Sequence, residues 1–267
     1  MRIVLVGAGR LATNLGKALR RAGHEVVAVW SRTMESAEAL SRVVGGFPTN
    51  SIDALPADAD AFMLSVKDAA LPALIPQVTK GREGCLFLHT AGSMPLSLFE
   101  GHARRYGVFY PMQTFSKERE VDFSDIPIFI EGSDPLIREL AGSISRSVYD
   151  LSTDARKHLH LAAVFACNFV NHCYALSAEV LERHGLPFDV MLPLIDETAR
   201  KVHELHPLDA QTGPAVRYDQ NVIGMQAQLL ADTPLLQEVY RLLSRSIHEK
   251  SSNYDKLRLT EDTCHRV

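Results

Sequence analysis

Through the first 150 residues, short apolar runs alternate with longer stretches whose apolar positions recur every three to four residues. The runs fall at residues 3–6, 25–30, 61–65, 85–88, 108–110, 128–130 and 148–151. Several are nearly continuous in β-branched or large apolar side chains, as strands buried on both faces must be. Between them, residues 11–22, 34–44 and 69–78 have the length and period of helices. That alternation predicts a parallel, doubly wound α/β sheet.

The pattern changes near Ser152-Thr153-Asp154. From there to Gly185 no strand signal and no proline occurs. Asp154 can serve as N-cap and Gly185 as C-cap of one helix, which uninterrupted would measure about 45 Å. Further helical stretches follow at residues 189–204, 220–231 and 235–252, and the last dozen residues are polar enough to fray. The sequence thus divides into an α/β domain, 1–152, and an all-α domain, 153–267.

Composition narrows the function classes. The chain has 267 residues, 46% hydrophobic and 22% charged, with a formal charge of −4. A packed core is expected, and no basic footprint for nucleic acid is present. The four cysteines form no C-x-x-C pair and no zinc-type spacing, so no metal site is expected. Scattered thiols and a short apolar N-terminal run predict a cytoplasmic protein without a membrane segment.

The first run ends in Gly7-Ala8-Gly9-Arg10-Leu11-Ala12, a G-x-G-x-x-A turn placed after a strand and before a helix. Gly7 allows the tight turn, Gly9 lets backbone approach a pyrophosphate, and Ala12 lets helix and strand pack closely. Arg10 and Leu11, within the same turn, complete this first group of cofactor-binding candidates. The helix start then offers free N–H groups to the anion. This is the Rossmann arrangement. The second strand ends in Ser31-Arg32-Thr33, without the acid that holds the ribose hydroxyl of NAD. Arg32 can pair with a 2′-phosphate while Ser31 and Thr33 donate to it, which points to NADP. Ser31 or Thr33 could also cap the next helix.

Ligands of such sheets lie beyond the carboxyl ends of the strands. Ser65, Val66 and Thr90 stand there and could border a nicotinamide ribose, with His89 beside the substrate. Asp68 could instead be a helix cap, and His89 a satisfied histidine in a turn. Gln113 lies in a loop, residues 110–115, that could cover the cleft. On the long helix, His160 and Asn168 interrupt an apolar stretch and, on a regular helix, differ by about 80°. A histidine there could move the proton that accompanies hydride transfer, and an asparagine could orient a carbonyl, imine or carboxylate. Both could equally be satisfied polar residues between helices.

Taken together, these residues resemble a two-domain family that couples a Rossmann-like domain to a helical domain of unknown function, number 2520 in its series. The family is compared with deazaflavin-dependent NADP oxidoreductases and with the β-hydroxyacid and 6-phosphogluconate dehydrogenase superfamily. Tyr110-Pro111-Met112-Gln113-Thr114-Phe115 is similar to its H-P-x-Q-T-F element, with Tyr110 in place of histidine. The segment from His160 to Asn168 is similar to H-A-A-A-V-F-A-S-N. Thr212-Gly213-Pro214-Ala215-Val216-Arg217-Tyr218-Asp219 is similar to T-G-P-x-x-R-G-D, with Tyr218 replacing glycine. The resemblance implies an NADP-dependent oxidoreductase acting on a small polar metabolite such as a keto acid, hydroxy acid or imine. His160 and Asn168 become catalytic candidates, and Arg217 a substrate anchor or a helix-start partner of Asp219. It also implies a homodimer through the C-terminal helices. Many superfamily relatives carry a lysine four residues before the asparagine, where this chain has Val164. A deazaflavin-linked reductase and a non-catalytic NADP sensor are the alternatives.

Overall fold

A computed structural model describes the backbone of residues 1–264 and the side chains of residues 1–254 and Lys256. Eight strands form one sheet: β1 (Arg2–Val6), β2 (Glu25–Trp30), β3 (Phe47–Thr49), β4 (Ala61–Leu64), β5 (Leu86–His89), β6 (Arg105–Pro111), β7 (Ile128–Glu131) and β8 (Val148–Asp150). Their spatial order is β3-β2-β1-β4-β5-β6-β7-β8. Helices α1 (Arg10–Arg21), α2 (Met34–Val44), α3 (Leu71–Thr79) and α4 (Pro135–Gly142) provide crossovers.

Strand periodicity explains why helices cover both faces. In β1, Ile3 and Leu5 point to one side and Val4 and Val6 to the other. The first side packs on Leu15 and Leu19 of α1, Leu40 of α2 and Leu140 of α4. The second packs on Leu71, Ile75 and Val78 of α3 and on Phe99. In α1, Ala12, Leu15, Gly16 and Leu19 form a single buried stripe, the spacing that the sequence shows.

Two features of the sheet depart from the sequence expectation. The sheet is mixed, because β7 runs antiparallel to β6 with Tyr110 opposite Phe129. Between these strands lies only a 3₁₀ turn, Phe123–Asp125, and without a crossover helix the chain returns in the opposite direction. The short β3 carries no apolar run. It contains Pro48, which an edge strand tolerates.

The long helix is also not uninterrupted. Helix α5 (Thr153–Ala163) passes through a π turn, Val164–Phe169, into α6 (Val170–Glu182). Ser152, not Asp154, caps it, its Oγ accepting from the Ala155 N–H at 3.3 Å. Gly185, at φ +68°, follows the helix end as expected. Two compact units result, Met1–Val170 and a second from Asn171 onward. The second contains α7 (Leu192–Glu204), α8 (Pro207–Ala210), α9 (Gln220–Gln228) and α10 (Pro234–Cys264). Of the last dozen residues, expected to fray, 256–264 are helical as part of α10, and 265–267 lie outside the described residues.

Candidate functional site

A groove of about 460 Å³ opens where β2, β1 and β4 end, at the point where the strand order reverses. Gly7 sits at φ +117°, and a Cβ there would lie 2.3 Å from the Ser65 carbonyl oxygen. No other residue type fits that turn. The Gly7 N–H donates to the Trp30 carbonyl at 2.8 Å, fixing the turn against β2. At Gly9 an added Cβ would meet nothing within 4 Å, so the backbone is open to an approaching anion. Gly9 also precedes α1 without a side-chain cap, which leaves the first-turn N–H groups for a ligand.

The far wall consists of Ser31, Arg32, Thr33 and Ser36. Thr33 occupies the N-cap position of α2 but makes no capping bond; its Oγ1 donates instead to Ser36 Oγ at 2.8 Å. The Ser36 hydroxyl proton is therefore free for a ligand. Arg32 has no ion-pair partner among the described residues, and no carboxylate lines the groove. A guanidinium, three hydroxyls, a glycine turn and an uncapped helix start fit a dinucleotide with an additional phosphate on its ribose. Ser65, Val66 and Lys67 form the wall at the end of β4, and Ala73, Leu74 and Gln77 continue it along α3.

The remaining cofactor candidates stand behind this surface. Ala12 is buried in the core and Leu11 packs on it, while Arg10 is exposed at the helix start. Thr90 Oγ1 donates to Ser65 Oγ at 3.3 Å and so supports the wall from β5. His89 is fully buried and stacks on Phe99 with ring centroids 5.7 Å apart. Its Nδ1 accepts from the Ala91 N–H at 3.3 Å, and Nε2 has no hydrogen-bond partner among the described residues. Burial, reinforced by the Arg156 charge, lowers its pKa to about 4. The nearby Pro95 carbonyl opposes that shift without completing a hydrogen bond to Nε2. Asp68 caps no helix; its carboxylate accepts from the Ser93 hydroxyl and ties the β4 and β5 loops together.

At the ends of β5 and β6 lies a second cluster. The Tyr110 hydroxyl is 2.9 Å from His160 Nδ1, with the rings edge-on at 76°. A Cβ on Gly92 would come within 2.7 Å of that nitrogen and 3.0 Å of Tyr110 Cζ, so the pair requires glycine beside it. Burial raises the Tyr110 pKa, which keeps the hydroxyl protonated. One turn before His160, the buried Arg156 pairs with Glu131 and donates to the Met94 carbonyl at 2.6 Å. Glu131 also accepts from the Thr153 N–H and hydroxyl, each at 2.8 Å. Burial works against the Glu131 charge, yet the bonds from Arg156 and Thr153 outweigh it and hold the carboxyl below its ordinary pKa.

Asn168 lies exposed in the π turn, so the 80° reckoned for a regular helix does not apply to it and His160. Gln113 is exposed and its side chain accepts from the Thr114 N–H. Arg217 is exposed in the second unit, where Asp219 alone caps α9. Tyr218 takes φ +52°, the conformation that suits glycine, and its ring stacks on His248 at 4.6 Å. Among the described residues, no group of three or more His, Cys, Asp or Glu could hold a metal ion. Sequence reasoning missed Ser36, Arg156 and Glu131. Ser36 was signalled by a hydroxyl one helical turn after Thr33; the Arg156–Glu131 pair joins residues 25 apart and carried no local signal.

The family model for a Rossmann-like domain matches residues 1–108, and that for a domain of unknown function (DUF2520) matches residues 126–247. A Bacteroides fragilis protein provisionally assigned as an NADP oxidoreductase is 56% identical, with a TM-score of 0.90 over 93% of this chain and 98% of its own. A Thermotoga maritima protein gives 22% identity and a TM-score of 0.74 over 92% and 99%. An imine reductase from Myxococcus stipitatus, solved in complex with NADP+, gives 16% and 0.66 over 96% and 95%. These last two are likenesses of fold. No curated protein sequence matches the chain significantly. With more than half its residues shared with a relative across nearly the full length of both, the chain belongs to the family that joins a Rossmann-like domain to a domain of unknown function (DUF2520).

Proposed function

We propose that the protein is an NADP-dependent oxidoreductase acting on a small polar metabolite, a keto or hydroxy acid or an imine. The observation that carries this reading is the groove of the first unit, with its forced glycine turn and its unpaired Arg32 among hydroxyls. The assignment of the 56%-identical relative as an NADP oxidoreductase supports it. When bound, NADPH supplies the hydride. Gly7, Gly9 and the start of α1 would hold its pyrophosphate, and Ser31, Arg32, Thr33 and Ser36 its 2′-phosphate. His160 and Asn168 would hydrogen-bond the substrate's carbonyl or imine group, since the cofactor carries the redox chemistry and the protein supplies orientation.

The test is a fluorescence titration of wild type and Arg32→Ala with NADPH and NADH. The wild type is expected to prefer NADPH. Loss of a charge-assisted phosphate contact should weaken NADPH by about ten- to a hundredfold and leave NADH nearly unchanged. Equal weakening of both nucleotides, or no binding by the wild type, would remove the NADP reading. His160→Ala should retain NADPH binding and lose reduction of small keto acids and imines. We also propose that the enzyme is a cytoplasmic homodimer formed through its C-terminal helices, where large apolar residues such as Leu229 and Leu235 are exposed.

A further inference from the structure

We infer that Tyr110 is a positioning residue that fixes the tautomer of His160, so that the neutral imidazole carries its proton on Nε2 and meets the substrate as a hydrogen-bond donor. This deepens, and rests on, the reading of His160 as a substrate-facing residue. Three observations carry it. The Tyr110 hydroxyl and His160 Nδ1 are 2.9 Å apart, at the end of a β-strand whose backbone is locked in the sheet. Among the described residues the hydroxyl has one other hydrogen-bond contact, the Met112 sulfur at 3.7 Å, and a thioether is a far weaker acceptor than an imidazole nitrogen. Tyr110 therefore gives its proton to Nδ1, and a neutral ring receiving a bond there must be protonated on Nε2.

The third observation is the state of Nε2. It has no partner among the described residues, yet it is not among the buried unpartnered atoms, and the ring is only half-buried. Nε2–H is thus accessible. A fixed N–H donor of this kind suits a carbonyl oxygen or imine nitrogen, both of which gain electron density as hydride arrives at carbon. Gly92 makes the arrangement possible, because any side chain there would enter the space of Nδ1.

The experiment is ¹⁵N NMR of histidine-labelled full-length protein without ligand, with His160 assigned by comparison with His160→Gln. The wild type should show the Nε2-protonated tautomer. Tyr110→Phe, which keeps the ring and removes the hydroxyl, should move the signals toward a tautomeric mixture. Gly92→Ala, which keeps both partners and separates them, should do the same. Under the proposed activity, Tyr110→Phe should lower kcat about fivefold to tenfold with KM for NADPH unchanged, as loss of one orienting hydrogen bond implies. An Nδ1-protonated wild type, or a tautomer indifferent to Tyr110→Phe, overturns the inference. The spectra require neither turnover nor nucleotide, so the tautomer of His160 can be read even where NADPH fails to bind, and the two failures stay distinct.

Discussion

His89 closes β5 with its ring out of water, one nitrogen satisfied and the other without a bond. With its folded pKa near 4 against an ordinary 6.5, it folds as the neutral form. Above pH 6.5 both states are neutral and nothing is lost. As pH falls from 6.5 toward 4, the unfolded chain takes up a proton that the folded one refuses, so stability declines by roughly 3 kcal/mol and then levels. Urea unfolding at pH 7 and pH 4.5 should show this loss in the wild type and a much smaller one in His89→Phe. Parallel losses in the two proteins would assign it to carboxylates instead. Tyr218 is a different case at the same scale. Its left-handed backbone costs on the order of 1–2 kcal/mol, offset by stacking on His248. The resemblance marked the site through the glycine it replaces, but the compensating ring is 30 residues away and invisible to any local pattern. Gly7, by contrast, was legible, because the need for a tight turn after β1 is local.

Elements were legible where burial sets their pattern. The stripe of α1, buried on one face, and the continuous apolar run of β1, buried on both, follow from burial alone, and both match the sequence. The reversal at β7 was not legible, since strand direction depends on what the connecting chain does and not on the strand's own residues. The π turn was also hidden: 164–169 reads as ordinary apolar helix, and only hydrogen bonding distinguishes it. The position of α5 rests on Arg156, which ties its first turn to β7 through Glu131 and to the β5–β6 connection through Met94. Arg156→Met strands a partly buried carboxylate and should cost about 3 kcal/mol in thermal or urea unfolding. Joining it to Glu131→Gln, whose amide oxygen can still accept from Thr153, should recover most of that loss, because the double variant leaves no unpaired charge in place of the pair. Costs that simply add in the double variant would show that the two side chains act independently. They would also remove the ion pair as the anchor of His160, one turn further on.

Large apolar side chains are left in water along the C-terminal half, and such surface in quantity marks an interaction face. In the second unit Leu229 is 80% and Leu235 75% exposed, and Leu194 and Met225 are each 63% exposed. An apolar cavity of about 360 Å³ between α6 and α10, lined by residues such as Leu176, Val180 and Val239, opens on the same unit. Among the described residues, one helix, Thr153–Glu182, is long and apolar enough by composition to cross a membrane. Its first turns argue for another role. They carry Asp154, Arg156, Lys157 and His158, and Arg156 is bonded into the sheet domain. A second copy of the chain can cover apolar helix faces without burying those charges in lipid, which is why the homodimer is the reading we adopt. Sedimentation velocity without detergent should find a dimer at micromolar concentration. Leu229→Glu with Leu235→Glu places two charges on the face and should shift the protein to monomer while Arg32-dependent NADPH binding persists. A wild type that is monomeric, or that leaves solution unless detergent is present, would exclude the homodimer, and the second result would return the long helix to consideration as a membrane segment.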